Sequence, residues 1–152
     1  MVEKDSVRAE VEIDAPVETV WQVLTDLDGY GDWNPFTPAA ESTLAIGDPI
    51  HLRVRLFGRR TIPWTERISR NAPYMLGWDL VLGHRRLLYA ERTQVLEAVD
   101  AHRTHYLTVD RFSGHLAPLV LWLFGRSMSR GFADCAQALK KAAETKTRMT
   151  RS

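Results

Sequence analysis

Cysteine is almost missing from this chain of 152 residues: Cys135 stands alone, so no disulfide can close within it. A disulfide scaffold is excluded, and a reducing, cytoplasmic setting is the expectation. Long apolar runs are missing too. The longest, Leu116 to Gly125, falls well short of the roughly 20 residues a spanning helix needs, so no integral membrane segment is expected. The opening residues, MVEKDSVRAEVEID, hold no apolar run and do not read as a signal peptide. No charge of one sign dominates either. Twenty basic residues face 19 acidic ones, for a net charge of +1, which argues against a nucleic-acid partner. Familiar catalytic signatures are absent: there is no phosphate-binding glycine loop, no HExxH and no nucleophile elbow. Of the five histidines only His102 and His105 lie close together, across a turn and without a Cys or acid cluster. Neither a metal nor another cofactor is expected, because zinc needs three or four ligands. A composition of 45% hydrophobic and 26% charged residues excludes disordered and collagen-like chains.

What is present is mostly strand. Val7, Ala9, Val11 and Ile13 alternate with polar residues, a half-buried strand. Asp14 is then a candidate helix cap, Pro16 suits a first turn, and Val17, Val20, Trp21, Leu24 and Leu27 recur at helical spacing. Residues 26–38 (DLDGYGDWNPFTP) read as a short helix or structured loop. Strands resume at Ile50–Leu56, Arg60–Arg70, Tyr74–Leu82, Leu87–Val99 and Arg103–Phe112, with a further short one over Glu41–Ile46. Turn signals separate them at hairpin spacing, so the sheet is predicted to be mainly antiparallel with about seven strands. From Leu116 to Glu144 the pattern turns helical, with Leu121, Met128, Phe132, Ala136, Leu139 and Ala143 in one stripe and Gly125 and Gly131 as points of flexure. One long helix cannot cover a flat seven-stranded sheet. A sheet curved around the helix buries both apolar faces and leaves space between them. The fold class is therefore α+β, a single domain over 1–145 with a flexible tail at 146–152.

Three stretches carry a family resemblance. They are Ile13-Asp14-Ala15-Pro16-Val17-Glu18-Thr19-Val20-Trp21, Tyr30-Gly31-Asp32-Trp33-Asn34-Pro35-Phe36, and Asp110-Arg111-Phe112-Ser113-Gly114 followed by Leu116 and Pro118. With the element order, they resemble the SRPBCC superfamily, which includes START domains, birch-pollen-allergen-like proteins and polyketide cyclase/dehydrases. The similarity is closest to the polyketide cyclase-like branch and covers about residues 6–144. It implies a helix-grip fold with a hydrophobic cavity between sheet and C-terminal helix. It does not select an activity, because one fold hosts many functions.

The candidate site residues are polar groups that share strand parity with apolar ones, and the aromatics around them. Ile62, Trp64, Glu66 and Ile68 share one face, which would point Glu66 into the curved interior. Tyr106, Thr108, Asp110 and Phe112 share another, which the resemblance supports as inward; Tyr89, Glu91, Thr93 and Val95 share a third. A carboxylate in an apolar cavity has its pKa raised by desolvation, which suits a general acid or base. Glu66 and Asp110 are thus the catalytic candidates. The alternatives are hydrogen bonding to a ligand, or structural pairing with an arginine such as Arg67, Arg92 or Arg111. The ligand-binding candidates are Trp33, Phe36, Trp64, Trp78, Tyr89, Glu91, Tyr106, Thr108, Phe112, Trp122, Met128 and Phe132, around a pocket of roughly 300–1,000 Å³. Cys135 reads as a buried structural thiol.

Two readings of function from different classes follow: a carrier or receptor of a hydrophobic or aromatic small molecule, and a polyketide cyclase or dehydratase using cavity carboxylates. A protein-interaction module is the third. Six arginines within Arg53–Arg70 read as a solvated convex face. The run Leu116 to Phe124 is apolar all round, whereas a surface helix needs one apolar stripe. Its outer side is expected to be a pocket gate, a dimer contact or a site that touches a membrane to collect a lipophilic ligand; the first two would cover it with a lid formed from the Trp33–Phe36 loop or with a second subunit in a homodimer.

Overall fold

The computed structural model describes residues 1–151. Strand β1 (Ser6–Ile13) leads into helix α1 (Val17–Thr25), a 3-10 turn (Leu27–Gly29) and the single-turn helix α2 (Tyr30–Trp33). Strands β2 (Ala39–Glu41), β3 (Pro49–Val54), β4 (Ile62–Ala72), β5 (Met75–Leu82), β6 (Leu88–Asp100) and β7 (Arg103–Ser113) follow, and helix α3 (Ala117–Arg151) closes the chain. The seven strands form one antiparallel sheet in the order β1-β7-β6-β5-β4-β3-β2. The sheet curls around α3, the helix-grip arrangement expected from the alternating strands and single long helix. Among the described residues no helix is long and apolar enough to cross a membrane.

Period-two alternation positions the inward side chains, broken by register shifts between Ile68 and Arg70 and between Ala98 and Asp100. On β6 the concave face takes Leu88, Ala90, Arg92, Gln94 and Leu96, all buried, while Tyr89, Glu91, Thr93 and Val95 point to the convex face. Register then lines up neighbours across the sheet. Val7 pairs with Asp110, Asp110 with Arg92, and Arg92 with Trp78. Against this face lies the buried stripe of α3, with Met128, Phe132, Cys135, Ala136, Leu139 and Ala143. Each large apolar side chain buried there stabilises the fold by roughly 1.5–3 kcal/mol. The core splits in two. One cluster gathers Ile13, Val20, Leu24, Tyr106 and Leu139 at the α1 end, and the other surrounds Phe36, Leu52, Ile68, Trp78, Phe112 and Phe132.

Several local expectations are corrected. Asp14 does not cap α1: the N-cap residue is Pro16 in extended conformation, and the Asp14 amide instead donates to Glu144 Oε1 at 3.1 Å. The short strand is Ala39–Glu41, and residues 42–48 form a turn in which Leu44 takes a positive φ of 64°. Helix α3 runs unbroken through Gly125 and Gly131. They are places of close approach. A Cβ at Gly131 would lie 2.1 Å from Phe36 Cδ2, and one at Gly125 would meet Val2 at 3.3 Å. Helix α3 continues through Arg151, with Thr147 buried and its hydroxyl donating to the Ala143 carbonyl at 2.9 Å. Ser152 lies outside the described residues.

Candidate functional site

Between the sheet and the first half of α3 lies a cavity of about 550 Å³. Its sheet wall comes from β3 (Leu52, Val54), β4 (Ile62, Trp64, Glu66), β5 (Trp78, Leu80, Leu82), β6 (Leu88, Ala90, Arg92) and β7 (Asp110, Phe112). Val120, Phe124, Met128 and Phe132 of α3 form the opposite wall, and Phe36 and Thr37 close one side. Asn34 positions that side: its Oδ1 accepts from the backbone amides of Phe36 at 3.1 Å and Thr37 at 2.9 Å. Phe36 then stands edge-on against Phe132, with ring centres 5.4 Å apart, in the space that Gly131 leaves. Phe57 and Arg60, on the β3–β4 connection, border the mouth, where Phe57 lies 5.7 Å from Phe124.

The walls are overwhelmingly apolar. The polar exceptions are Thr37, Arg60 at the mouth, and a cluster of Glu66, Arg92 and Asp110. Arg92 is buried, and its Nε donates to Thr108 Oγ1 at 2.9 Å. Its guanidinium carbon sits 4.2 Å from the Phe132 ring centre and 5.8 Å from that of Trp78, so two aromatic faces help to hold the cation. Burial alone would pull its pKa down; Tyr106, Cys135 and Asp110 outweigh this and hold it above its ordinary value. Among the described residues, two atoms of the cluster have no hydrogen-bond partner: Arg92 Nη2 and Asp110 Oδ1. Buried polar atoms cost free energy unless they are partnered, so this cluster is the polar focus of an otherwise apolar cavity.

The carboxyls are tuned away from ordinary behaviour. Burial, reinforced by the Asp110 carboxyl, pushes Glu66 up to about 8, against the weaker pull of the Trp64 hydrogen bond and Arg92. Trp64 Nε1 donates to Glu66 Oε2 at 3.0 Å. Burial pushes Asp110 up to about 7, with Arg92 opposing. At neutral pH Glu66 is therefore mostly protonated, while Asp110 is near its midpoint. Burial thus brings both carboxyls from the ordinary acidic range toward neutral pH, beside a fixed cation.

Of the residues singled out in the sequence, Phe36, Trp64, Glu66, Trp78, Asp110, Phe112, Met128 and Phe132 line this cavity. Thr108 faces inward but lies beneath Arg92 as its acceptor, and Tyr106 is buried deeper, donating to Gln94 Oε1 at 2.6 Å. Tyr89 and Glu91 are corrected to the convex face. There Tyr89 donates to Asp79 Oδ2 at 2.9 Å, and Glu91 pairs with Arg70 at 3.2 Å. The parity reading grouped them by Tyr89 and Val95, but the inward residues of β6 include the charged Arg92 and polar Gln94, which alternation rules assign outward. Trp33 packs edge-on against Tyr30, with ring centres 5.2 Å apart, and does not reach the cavity. Trp122 is 80% exposed on the far side of α3. Its neighbours Leu119 and Leu123 are also exposed, so the Trp33–Phe36 loop is no lid over this segment; it meets α3 further on, at Gly131 and Phe132. Sequence reasoning named Arg92 only as a structural partner for the carboxylates and did not place it in the site. Its signal was its parity with Leu88, Ala90 and Leu96.

Residues 4–144 match the family described as polyketide cyclase / dehydrase and lipid transport. No curated protein matches the chain. Among solved structures, the chain is similar to Zhui aromatase/cyclase from Streptomyces sp. R1128, with 21% identity, a TM-score of 0.73, and 95% of this chain and 96% of that one covered. It is also similar to a START superfamily protein from Mycobacterium smegmatis, at 19% identity and a TM-score of 0.65, covering 96% and 99%. Norcoclaurine synthase from Thalictrum flavum, solved with dopamine and hydroxybenzaldehyde, follows at 14% identity and a TM-score of 0.64, covering 90% and 84%. At these identities the likeness shows the fold alone. The family match, spanning nearly the whole chain and agreeing with the curled sheet around one long helix, places the chain in the polyketide cyclase / dehydrase and lipid transport family of the SRPBCC superfamily.

Proposed function

We propose that this chain binds one hydrophobic, aromatic small molecule in the cavity, with a polar group of that molecule seated on Arg92, Asp110 and Glu66. One observation carries the reading: a cavity of about 550 Å³ whose apolar walls are interrupted by a single convergent cluster with an open donor and an open acceptor. Small-molecule sites have this composition, with apolar bulk for affinity and a few polar groups for orientation. A hydroxyl or carbonyl on the ligand accepts from Arg92 Nη2, and a hydroxyl donates to Asp110 Oδ1. The family supports the reading, since its description joins cyclases and dehydrases with lipid transport. Calorimetric titration with 2-naphthol, an aromatic ring bearing one hydroxyl, tests it. Saturable binding to the native chain, abolished by Ala90→Trp, which fills the cavity from the sheet side, is the expected outcome. Equal heats with both chains would remove the cavity from the account.

The second reading, acid–base catalysis on a carbonyl-rich substrate, rests on two carboxyls that burial raises toward neutral pH beside the fixed cation of Arg92. Glu66 gives a proton to a carbonyl or departing hydroxyl oxygen, Asp110 takes one from a neighbouring carbon, and Arg92 holds the negative charge that develops on oxygen. It requires that Glu66→Gln keep ligand affinity and lose turnover. Loss of neither, with a changed melting temperature, makes Glu66 structural.

A further inference from the structure

The N-terminal half of α3 carries a face the cavity does not use. Leu119, Trp122, Leu123, Arg126 and Arg130 fall within one arc of the helix at i, i+3, i+4, i+7 and i+11. Val120, Phe124, Met128 and Phe132 take the cavity side. The outward arc is strongly apolar at its start: Trp122 is 80% exposed, Leu123 50% and Leu119 49%. A tryptophan this bare on a rigid helix is a standing liability in water.

Two loops flank this half of the helix and extend the patch. The β3–β4 connection brings Phe57, 57% exposed, onto Phe124, and the β5–β6 connection is bonded to the helix start through His115 N to Arg86 O and Leu116 N to Leu87 O. Leu82 and Leu87, at the edges of that second loop, are exposed as well. All three segments share a second property. Residues 55–61, 83–90 and 113–133 contain no Asp or Glu, yet they hold Arg55, Arg59, Arg60, Arg85, Arg86, Arg126 and Arg130. Among the described residues Arg59, Arg60, Arg86, Arg126 and Arg130 have no ion-pair partner. On the flank where Val2 meets Gly125, the nearby Glu3 is engaged by Arg8. The net charge of +1 hides this concentration; the adjoining acids are Glu91, which pairs with Arg70, and Asp134, one helical turn beyond Arg130.

We propose that this face docks on an anionic lipid bilayer: Trp122, Leu119, Leu123 and Phe57 enter the boundary between headgroups and acyl chains, and the arginines contact lipid phosphates. Exposed aromatic and aliphatic side chains beside unpaired arginines are the pairing that an interfacial helix uses. A second copy of the chain fits the patch worse. A two-fold contact would bring the same arginines face to face, with Asp134 alone on this stretch of α3 to offset them. The surface adjoins the mouth of the cavity, which Phe57, Arg60 and Leu82 border, so docking would open the cavity toward the source of a lipophilic ligand. This goes beyond small-molecule binding and stands independently of which ligand the cavity takes.

The test is co-sedimentation with vesicles of phosphatidylcholine, with and without an equal share of phosphatidylserine. Binding is expected to the anionic vesicles, falling by more than about tenfold in Trp122→Ser/Leu123→Ser and by roughly fivefold for each of Arg59→Ser, Arg86→Ser and Arg126→Ser. These side chains are exposed, so circular dichroism and the 2-naphthol titration should be unchanged in every variant. That separates loss of docking from loss of fold or of the cavity. Equal, weak sedimentation with both vesicle types would overturn the proposal. So would a light-scattering dimer that Trp122→Ser splits, since the patch would then belong to a second copy.

Discussion

Glu66→Gln isolates the electrostatic core of the site. The folded chain keeps a proton on Glu66 up to about pH 8, whereas the unfolded chain releases it near the ordinary value of 4.5. Between those values the folded state binds more protons, so stability falls as the pH rises; the contribution is fully present below the unfolded value and lost by the folded one. Asp110 adds a term of the same sign between 3.8 and about 7. For Glu66 the full difference corresponds to a ceiling of about 5 kcal/mol. The carboxyl borders a cavity open to water, so about half of that, roughly 2–3 kcal/mol, is the figure to expect. Gln keeps the shape, and its amide oxygen can still accept the Trp64 Nε1–H, but it cannot ionise. Melting curves by circular dichroism should therefore show the variant gaining on the native chain as pH rises from about 5 to about 9. The gap should widen by roughly 5–10 °C, taking about 2–4 °C per kcal/mol for a chain of this size. A gap that does not move with pH would refute the reasoning. A gap that moves the other way would mean that Glu66 is ionised in the fold and stabilised by Arg92.

Gly131→Ala would set a methyl group 2.1 Å from the Phe36 ring, so despite alanine's better helix propensity we expect destabilisation of about 1–3 kcal/mol in urea unfolding, with weaker 2-naphthol binding. Asn34→Ala removes the acceptor for the amides of Phe36 and Thr37, costing about 2–4 kcal/mol in the same assay and releasing Phe36 from the cavity wall. Arg92→Met fills a similar volume without charge; calorimetry should show weakened binding of 2-naphthol and unchanged binding of naphthalene, which has no hydroxyl for Nη2 to reach.

The architecture was legible because its signals are periodic. Alternation over β1, β3, β5, β6 and β7 and the helical stripe of α3 recovered the order of elements, and hairpin spacing recovered the antiparallel pairing. Glu66 and Asp110 were legible for the same reason, each sharing parity with large apolar neighbours. The errors fall where side chains break the rule that alternation relies on. Arg92 is a buried charge on the concave face, held by Thr108, Phe132 and Trp78, contacts that lie 16, 40 and 14 positions away and leave no local trace. Treating Arg92 as outward turned β6 over and brought Tyr89 and Glu91 inside. Trp33 is a candidate because the resemblance sets its loop beside the cavity, and Trp122 because of its type. A tryptophan's size says that it needs a neighbour, not that the neighbour is a ligand; one found Tyr30, and the other stands in solvent. The glycines of α3 read locally as flexure, because the ring that needs Gly131 arrives from Phe36, far back in the chain.

Native mass spectrometry of the chain purified from its own host, beside Ala90→Trp prepared in the same way, tests the occupied cavity most directly. The account predicts a native chain that carries a small apolar molecule, released on gentle activation, and a filled variant that flies bare. Two bare chains that also fail to take up 2-naphthol would contradict it.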